Sequence, residues 1–200
     1  MDRFLEELSS SAPTPGGGGA RALIGAVSCA LCSMVANLTT GKKKYAMYQD
    51  KIDEYLLILS EKLTTLKEDI ELDATAFAPL AKAYSMDKNA PDYDIVMQTA
   101  IKNAAEAPLK ITRDIYSLVS IIEDLETMGS RLAISDVAVA ATAAVTALKG
   151  AVMNIYINTK SMKDTALAIQ MNNEAAHMVE DGEYRLNKVY DNICKQLRNV

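Results

Sequence analysis

The chain has 200 residues, which is enough for one compact domain with a sizeable core, and we expect a single domain over residues 1–200. Half of the residues are apolar, but only 6% are aromatic and Trp is absent, so Ala, Leu, Ile, Val and Met must build the core, as in close-packed helices. A formal net charge of -5 argues against a basic surface that neutralises a phosphate backbone, and we therefore expect no nucleic-acid partner.

The first residues do not have the pattern of a secretory leader. MDRFLEELSS carries one Arg against three acidic groups and contains no apolar run. The most apolar stretch, residues 22–36, is interrupted by a glycine and two serines and is shorter than the ~20 apolar residues that a membrane helix needs. We expect a cytoplasmic protein with no membrane partner, in which Cys29, Cys32 and Cys194 are reduced and the first two are small buried residues.

The strongest loop signal lies near the N-terminus, where prolines and four consecutive glycines interrupt regular structure. Gly16, Gly17, Gly18 and Gly19 lead into a helix predicted over residues 20–38. Such a helix start exposes backbone N–H groups and favours an anion or a closely approaching ligand. A flexible turn that lets a neighbouring helix pack tightly explains the glycines equally well.

A basic run follows this first long helix. The helix is predicted to end near Asn37, before Thr39-Thr40-Gly41 and the three lysines Lys42, Lys43 and Lys44. These lysines can hold a carboxylate-bearing ligand, although such a run is more often a solvated surface.

From about residue 52 to residue 84, apolar side chains recur in alternating four- and three-residue steps, which predicts one long helix packed along a stripe. Asp73 stands in this stripe where the pattern calls for Leu. An ionised carboxylate there must be paired, hydrogen-bonded or facing a cavity, and burial raises its pKa toward the range that general acid or base catalysis uses. The alternative is a buried Asp that satisfies a neighbouring helix terminus.

A second apolar stripe, from Met97 to Leu125, predicts another long helical segment and contains Pro108. Proline removes a backbone hydrogen bond and clashes with the preceding turn. We therefore expect a kink, or a break between two helices, at this position.

The next predicted helix follows Met128-Gly129-Ser130 and has Ser135 or Asp136 as its N-cap, a role that needs no catalysis. Polar residues recur along it every four positions, and Asn154 and Asn158 stand one turn apart among small side chains. Their amides must pair with another helix, with water or with a ligand.

A last helix, predicted from about residue 163 to residue 198, carries the only histidine, His177, among polar neighbours. One histidine and no second cysteine pair cannot easily supply four protein ligands for zinc. We expect no metal, no cofactor and no covalent nucleophile.

The pattern as a whole predicts an all-α fold, a multihelical bundle of up to about six helices. No segment alternates in the way of a strand, and no period of 20 to 50 residues repeats. The Ala-rich helices and long apolar stripes contain more apolar surface than one bundle buries, so we expect a symmetric homodimer.

Several motifs, taken in order, resemble one known family. PTPGGGG at residues 13–19, NLTTGKKKY at 37–45, DATAF at 73–77, APL at 107–109, Ser135-Asp136 and the two asparagines are similar to the cyclodeaminase domain of formiminotransferase-cyclodeaminase and to stand-alone bacterial methenyltetrahydrofolate cyclohydrolases. The likeness covers about residues 4–160. The chain departs from the family's commoner pattern at Gly129-Ser130, where Gly-Asn is expected.

The resemblance implies an enzyme that acts on the one-carbon bridge between N5 and N10 of tetrahydrofolate. It would release ammonia from 5-formiminotetrahydrofolate as a cyclodeaminase, add water to 5,10-methenyltetrahydrofolate as a cyclohydrolase, or do both. Asp136 and Asp73 are implied as the acid/base residues. The implied substrate-binding residues are Gly16, Gly17, Gly18, Gly19, Asn37, Lys42, Tyr45, Ser135, Asn154 and Asn158.

Two questions stay open at this point. A non-catalytic module of the same fold, which binds folate or another protein without turnover, would need no acid/base pair. A cyclodeaminase would need its substrate delivered by a separate formiminotransferase.

Overall fold

The computed structural model describes residues 2–12 and 14–198, except for the side chains of Asp73 and Ala74. Within this part of the chain all regular structure is helical, which confirms the predicted all-α bundle. The long elements are α1 (Asp2–Leu8), α2 (Gly17–Asn37), α3 (Gln49–Tyr84), α4 (Tyr93–Tyr116), α5 (Val119–Met128), α6 (Ile134–Thr159) and α7 (Thr165–Arg198), and short 3₁₀ helices cover Lys43–Tyr48 and Arg131–Ala133.

Helices α2 and α6 form the centre of the bundle. Helix α2 packs against α3 and α6, and α6 also packs against α4 and α7. Small residues allow this: a Cβ on Gly25 would lie 2.8 Å from the Ile115 side chain, so α2 approaches α4 only because Gly25 has none. Cys29 and Cys32 belong to this core, where burial raises the pKa of the Cys29 thiol to about 11 and raises that of Cys32 further, so both behave as small apolar residues.

Helices α2 and α6 run antiparallel, and their contacts fix which ends of the two helices meet. Ser28 donates its hydroxyl hydrogen to the Ala140 carbonyl at 2.8 Å, near the middle of the pair. A Cβ on Gly17 would lie 3.8 Å from Asn154 Nδ2. The start of α2 therefore lies beside the end of α6.

Both central helices are unusually apolar. By length and composition alone, Gly17–Asn37 and Arg131–Thr159 could cross a membrane, but core helices of soluble proteins pass the same test. In this fold 56% and 50% of their most apolar windows are buried. About half of each window, polar residues included, is therefore not buried in the bundle.

Of the two outcomes predicted at Pro108, a break between two helices is not found. Helix α4 continues from Tyr93 to Tyr116, and the chain turns only at Ser117. Pro108 lacks the N–H that would bond to the Ala104 carbonyl, and Asn158 Nδ2 of α6 donates to that carbonyl at 2.8 Å instead. The lost backbone bond is replaced from a neighbouring helix, so the proline is tolerated.

Helix α2 begins at Gly17, three residues earlier than predicted, so three of the four glycines form its first turn. A Cβ on Gly19 would lie 3.4 Å from the Ile70 carbonyl oxygen and 3.5 Å from the Phe4 ring. Both are ordinary van der Waals distances, so the packing of α1 and α3 against this turn would admit a Cβ at Gly19.

Candidate functional site

Four of the motifs meet in one cleft of about 250 Å³ at the start of α2, which we call the glycine cleft. Its floor is the backbone of the glycine run, and α3, α4 and the end of α6 form its walls. The cleft is lined by Thr14, Gly16, Gly17, Gly18, Ala76, Phe77, Leu80, Tyr84, Ala104, Ala107, Asn154, Ile157 and Asn158. It combines apolar and aromatic walls with a few amide groups, which is typical of a small-molecule site.

Asn158 has a fixed orientation in this cleft. Its Nδ2 donates to the Ala104 carbonyl and to the Asn154 carbonyl, each at 2.8 Å. Of the partners considered from the sequence, the structure gives the Asn158 amide another helix, α4, and its Oδ1 has no hydrogen-bond partner among the described residues. Asn154, one turn earlier, lies beside Gly17 and also lines the cleft.

Asp73, predicted as an acid/base residue, lies in α3, but its side chain falls outside the described residues. The apolar stripe that contains it packs into the core at Ile52, Leu59 and Leu66. Beyond Asp73 the same stripe leaves the core, and Phe77 and Tyr84 line the glycine cleft. The stripe therefore changes from core to cleft wall in the region of Asp73.

A different carboxylate on α3, Asp69, is buried in the described part of the protein, and the apolar pattern did not predict it. Its side chain is 2% exposed, and its Oδ1 accepts a hydrogen bond from Lys110 Nζ of α4 at 2.7 Å. Lys110 also contacts Asp114, which pairs with Lys62. Burial raises the pKa of Asp69, against the opposing effect of Lys110. No local signal predicts a pair separated by 41 positions.

A second, larger cleft of about 590 Å³ adjoins the glycine cleft, and Ala76 and Ala107 line both. It lies between α3, α4 and α7. Arg113 of α4 and Glu174 of α7 form a two-bond ion pair on its wall, at 2.5 and 2.8 Å. This pair holds the pKa of Glu174 below its usual range.

Other predicted site residues lie at the opposite end of α6, in what we call the lysine–tyrosine end, formed by Thr39, Lys42, Tyr45, Ser130 and Arg131. The Thr39 hydroxyl oxygen accepts the Ser130 N–H at 2.8 Å, and Lys42 Nζ lies 3.5 Å from Ser130 Oγ. The Tyr45 hydroxyl oxygen accepts the Arg131 N–H at 3.0 Å. The NLTTGKKKY segment is thus bonded to the Gly129-Ser130 segment.

Tyr45 is the residue of this end with a shifted pKa. The backbone hydrogen bond from Arg131 lowers the pKa of the phenol, with Ser130, Lys44 and Lys42 acting in the same direction. Gly41 has a φ of +71° and lets the chain turn into the Lys43–Tyr48 helix.

The remaining predicted residues lie at this same end, with one correction. Asn37 is exposed and donates its amide to the Ser33 carbonyl at 2.8 Å, and Ser135 is exposed. Neither Ser135 nor Asp136 is the N-cap of α6, because the helix begins at Ile134 and Ala133 is the capping position. Asp136 is the third helical residue, where the helix dipole favours a negative charge. Its carboxylate accepts no hydrogen bond from the described residues.

The predicted site residues therefore form two groups rather than one. Asp136 and Asn154 are 18 positions apart on α6, which is about 27 Å at about 1.5 Å per residue. The one-carbon bridge of a folate cannot touch both in a single chain. Both residues were predicted on one helix, and their spacing of 18 positions already implied this separation, which the combined assignment of roles did not take into account.

Sequence reasoning also missed Arg21. This arginine is 2% exposed, and Gly150 of α6 leaves room for it, since a Cβ there would lie 3.6 Å from Arg21 Cβ. It lies one turn below Gly17 and thus beneath the glycine cleft. The sequence did contain a signal for Arg21, because a single arginine stands out in a helix made mostly of small residues.

The structure offers little to a metal ion in the residues that it describes. No group of three or more His, Cys, Asp or Glu side chains there is placed to hold one. His177 is exposed on α7.

Comparisons with known proteins agree with this architecture. The family model described as Formiminotransferase-cyclodeaminase matches residues 1–177. The chain is 34% identical over 197 residues to a protein named methenyltetrahydrofolate cyclohydrolase from Methylorubrum extorquens, covering 96% of this chain and 95% of that protein.

Two further matches extend the comparison. The chain is 28% identical to the formimidoyltransferase-cyclodeaminase of Mus musculus, covering 90% of this chain and 34% of that protein, so it spans about a third of this relative's length. A crystal structure of formiminotetrahydrofolate cyclodeaminase from Thermotoga maritima superimposes with a TM-score of 0.87 at 27% identity, covering 97% of this chain and 96% of the other. The chain belongs to the formiminotransferase-cyclodeaminase family.

Proposed function

We propose that the protein is an enzyme of tetrahydrofolate one-carbon metabolism and that its reaction is the hydrolysis of 5,10-methenyltetrahydrofolate to 10-formyltetrahydrofolate. The observation that carries this proposal is that the glycine run, residues after Asp73, the APL segment and both asparagines line one cleft. The relative named as a cyclohydrolase, which matches along nearly its whole length, favours this reaction.

In this reaction water attacks the methenyl carbon and a base takes its proton. The hydroxyl on that carbon then loses its remaining proton to a base and becomes the formyl C=O as the bond to N5 breaks. The electron pair of that bond goes to N5, which receives a proton, and the formyl group stays on N10. Asp136 is suited to the base role because its carboxylate accepts no hydrogen bond from the described residues. Asp73 keeps its predicted acid/base role on the strength of its position in α3. The asparagines would orient the pterin.

The cyclodeaminase reaction is the second candidate. There N10 attacks the formimino carbon on N5 and ammonia leaves, so the same proton acceptor and donor are needed. The Thermotoga structure, named for this activity, matches along 97% of the chain and favours it. A separate formiminotransferase would then supply the substrate.

The two groups of site residues can act together if the protein is a homodimer. The outer faces of α2 and α6 expose the apolar side chains of Val27, Met34, Val139, Met153 and Ile157, alongside Thr142, Thr146 and Lys149 of α6, and we infer that these faces are covered by a second copy. A two-fold axis through the middle of this surface would place the lysine–tyrosine end of one chain over the glycine cleft of its partner. A second copy would both cover the apolar surface and complete the site.

The remaining expectations enter the proposal unchanged. We expect a cytoplasmic enzyme that forms one domain and needs neither metal nor cofactor. Activity that is lost after exhaustive chelation and restored by zinc would contradict the last point.

Assays of the purified protein with each folate test the function. We expect the protein to consume 5,10-methenyltetrahydrofolate faster than the uncatalysed reaction does, with the rate measured from the absorbance of this substrate. Ammonia release from 5-formiminotetrahydrofolate would establish the second reaction. Folate binding with no turnover of either compound would favour a non-catalytic module.

A further inference from the structure

Pro108 lies inside α4 at a point where the helix should lose a hydrogen bond. A residue with an N–H at this position would donate to the Ala104 carbonyl, four residues earlier. Proline has no N–H, so this carbonyl is available to another donor. The donor that takes it is Asn158 Nδ2 of α6, at 2.8 Å.

The second hydrogen of the same amide is also committed. Asn158 Nδ2 donates to the Asn154 carbonyl at 2.8 Å, so both of its hydrogens bond to backbone carbonyls. Because both neighbours are acceptors, the nitrogen must face them, and the reversed orientation would place an oxygen against two oxygens. Asn158 Oδ1 is therefore a hydrogen-bond acceptor of fixed position, and Asn158 lines the glycine cleft.

We propose that Pro108 is a positioning residue for substrate binding: by leaving the Ala104 carbonyl free, it holds the Asn158 amide in one orientation and presents Oδ1 to an N–H donor of the ligand. Asn154, one turn earlier on the same wall, makes no side-chain hydrogen bond with the described residues and can supply a donor. Asn158 then accepts a hydrogen bond from a ligand N–H, and Asn154 donates one to a neighbouring ligand carbonyl. A ring edge with these two groups side by side, as in an amino-oxo-pyrimidine, fits both. This inference rests on the proposed function.

The test is the Pro108→Ala variant with 5,10-methenyltetrahydrofolate as substrate. Alanine restores the N–H, which competes for the Ala104 carbonyl and releases the Asn158 amide. We expect KM to rise about tenfold, the effect of one misplaced hydrogen bond, with a smaller change in kcat. Tm should equal or exceed that of the wild type, because alanine is the better helix residue. A proline with only a structural role would leave KM unaltered, whatever the change in Tm.

Pro79 provides a matched control, since it also lies inside a helix, α3, but is exposed, and no described side chain donates to the Thr75 carbonyl that it frees. Pro79→Ala should leave KM unchanged. Asn158→Ala should raise KM at least as much as Pro108→Ala does. The double variant Pro108→Ala/Asn158→Ala should be no worse than Asn158→Ala alone, since both changes remove the same interaction.

An unchanged KM in Pro108→Ala would overturn the inference, as would KM increases that multiply in the double variant. Neither result would affect the proposed function, which is judged by the wild-type rate. If the wild type converts neither folate, the proposed function fails and the positioning is judged by NMR. Exchange of the Asn158 side-chain amide hydrogens should be slow in the wild type and faster in Pro108→Ala. Equal exchange in the two proteins would overturn it.

Discussion

The two ends of α6 differ in what they can contribute to a reaction. The glycine cleft is concave, has aromatic and apolar walls, and offers a fixed acceptor at Asn158. The lysine–tyrosine end carries charge and titratable groups, including Lys42, Tyr45 and Asp136, but it lines none of the clefts that we describe. In the function that we propose, the first end binds the substrate and the second contributes to proton transfer, so both are needed.

We propose that this difference is the reason why the central helices expose apolar side chains, since the proposed dimer would bring the two ends together. An enzyme that used only one end would gain nothing from exposing Val139, Met153 and Ile157 along the path between the two. Burial of such a face stabilises association by about 25 cal/mol per Å² of apolar area. The predictions below test whether the ends work together, beginning with the largest effect.

Asp136→Asn and Asp73→Asn should each lower turnover at least ~100-fold, the lower range for losing a positioned acid or base. Asn keeps the volume of Asp, and at the start of α6 it loses only the favourable charge near the helix dipole, so Asp136→Asn should stay folded. Steady-state rates on both folates and circular dichroism check this. Near-normal turnover in both variants would show that these carboxylates do not catalyse.

Mixing the two inactive variants tests whether the ends come from different chains. Randomly mixed dimers would contain one intact site in half of the molecules, so about a quarter of wild-type activity should return. The control is each variant mixed with itself under the same refolding protocol. No recovery, although mixed dimers are shown to form, would place both carboxylates in one chain's site.

A charge on the apolar face should separate the two ends. Val139→Glu on α6 places a carboxylate in the surface that we assign to the second copy, and its burial there is costly. We expect a monomer in sedimentation at micromolar concentration and a loss of activity of at least ~10-fold. Ile169→Glu, on an exposed position of α7 outside this face, is the control and should leave both unchanged. A monomeric, fully active wild type would refute the dimer.

Tyr45→Phe sharpens the comparison from the lysine–tyrosine end. The lowered pKa of the phenol, caused first by the Arg131 N–H, means that wild-type activity dependent on the protonated hydroxyl falls as pH rises through that pKa. Removing the hydroxyl should lower kcat about tenfold and abolish this basic limb. Tyr48→Phe, in the same 3₁₀ helix, is the control. An unchanged pH profile in Tyr45→Phe would exclude the phenol from proton transfer.

Sequence reasoning predicted the helices well because each long one has an apolar stripe with helical period, as in α3 and α4. It did not predict that α4 continues through Pro108, because the donor that takes the Ala104 carbonyl, Asn158, lies 54 positions from Ala104 along the chain. It also missed the Asp69–Lys110 pair, for the same reason. The sequence motifs identified residues of both the glycine cleft and the lysine–tyrosine end. The distance between these two ends, however, depends on the rise of α6 and on its antiparallel packing against α2.

The smallest expected effect concerns the Arg113–Glu174 pair, which belongs to neither end. Arg113 lowers the pKa of Glu174, so the pair stabilises the fold above the unfolded glutamate pKa, and this contribution is lost as pH falls through the lower folded value. Both side chains are substantially exposed, at 53% and 34%, so solvent screening limits the contribution. Arg113→Gln should therefore lower the free energy of unfolding at pH 7 by at most ~1 kcal/mol. Urea denaturation should show this difference shrinking below about pH 4, the ordinary range of a glutamate.

Arg113→Lys keeps the charge but loses the two-bond geometry. Its free energy of unfolding should therefore lie between those of the wild type and Arg113→Gln. A difference that stays constant as pH falls would mean that Arg113 stabilises the fold through packing against the larger cleft rather than through Glu174.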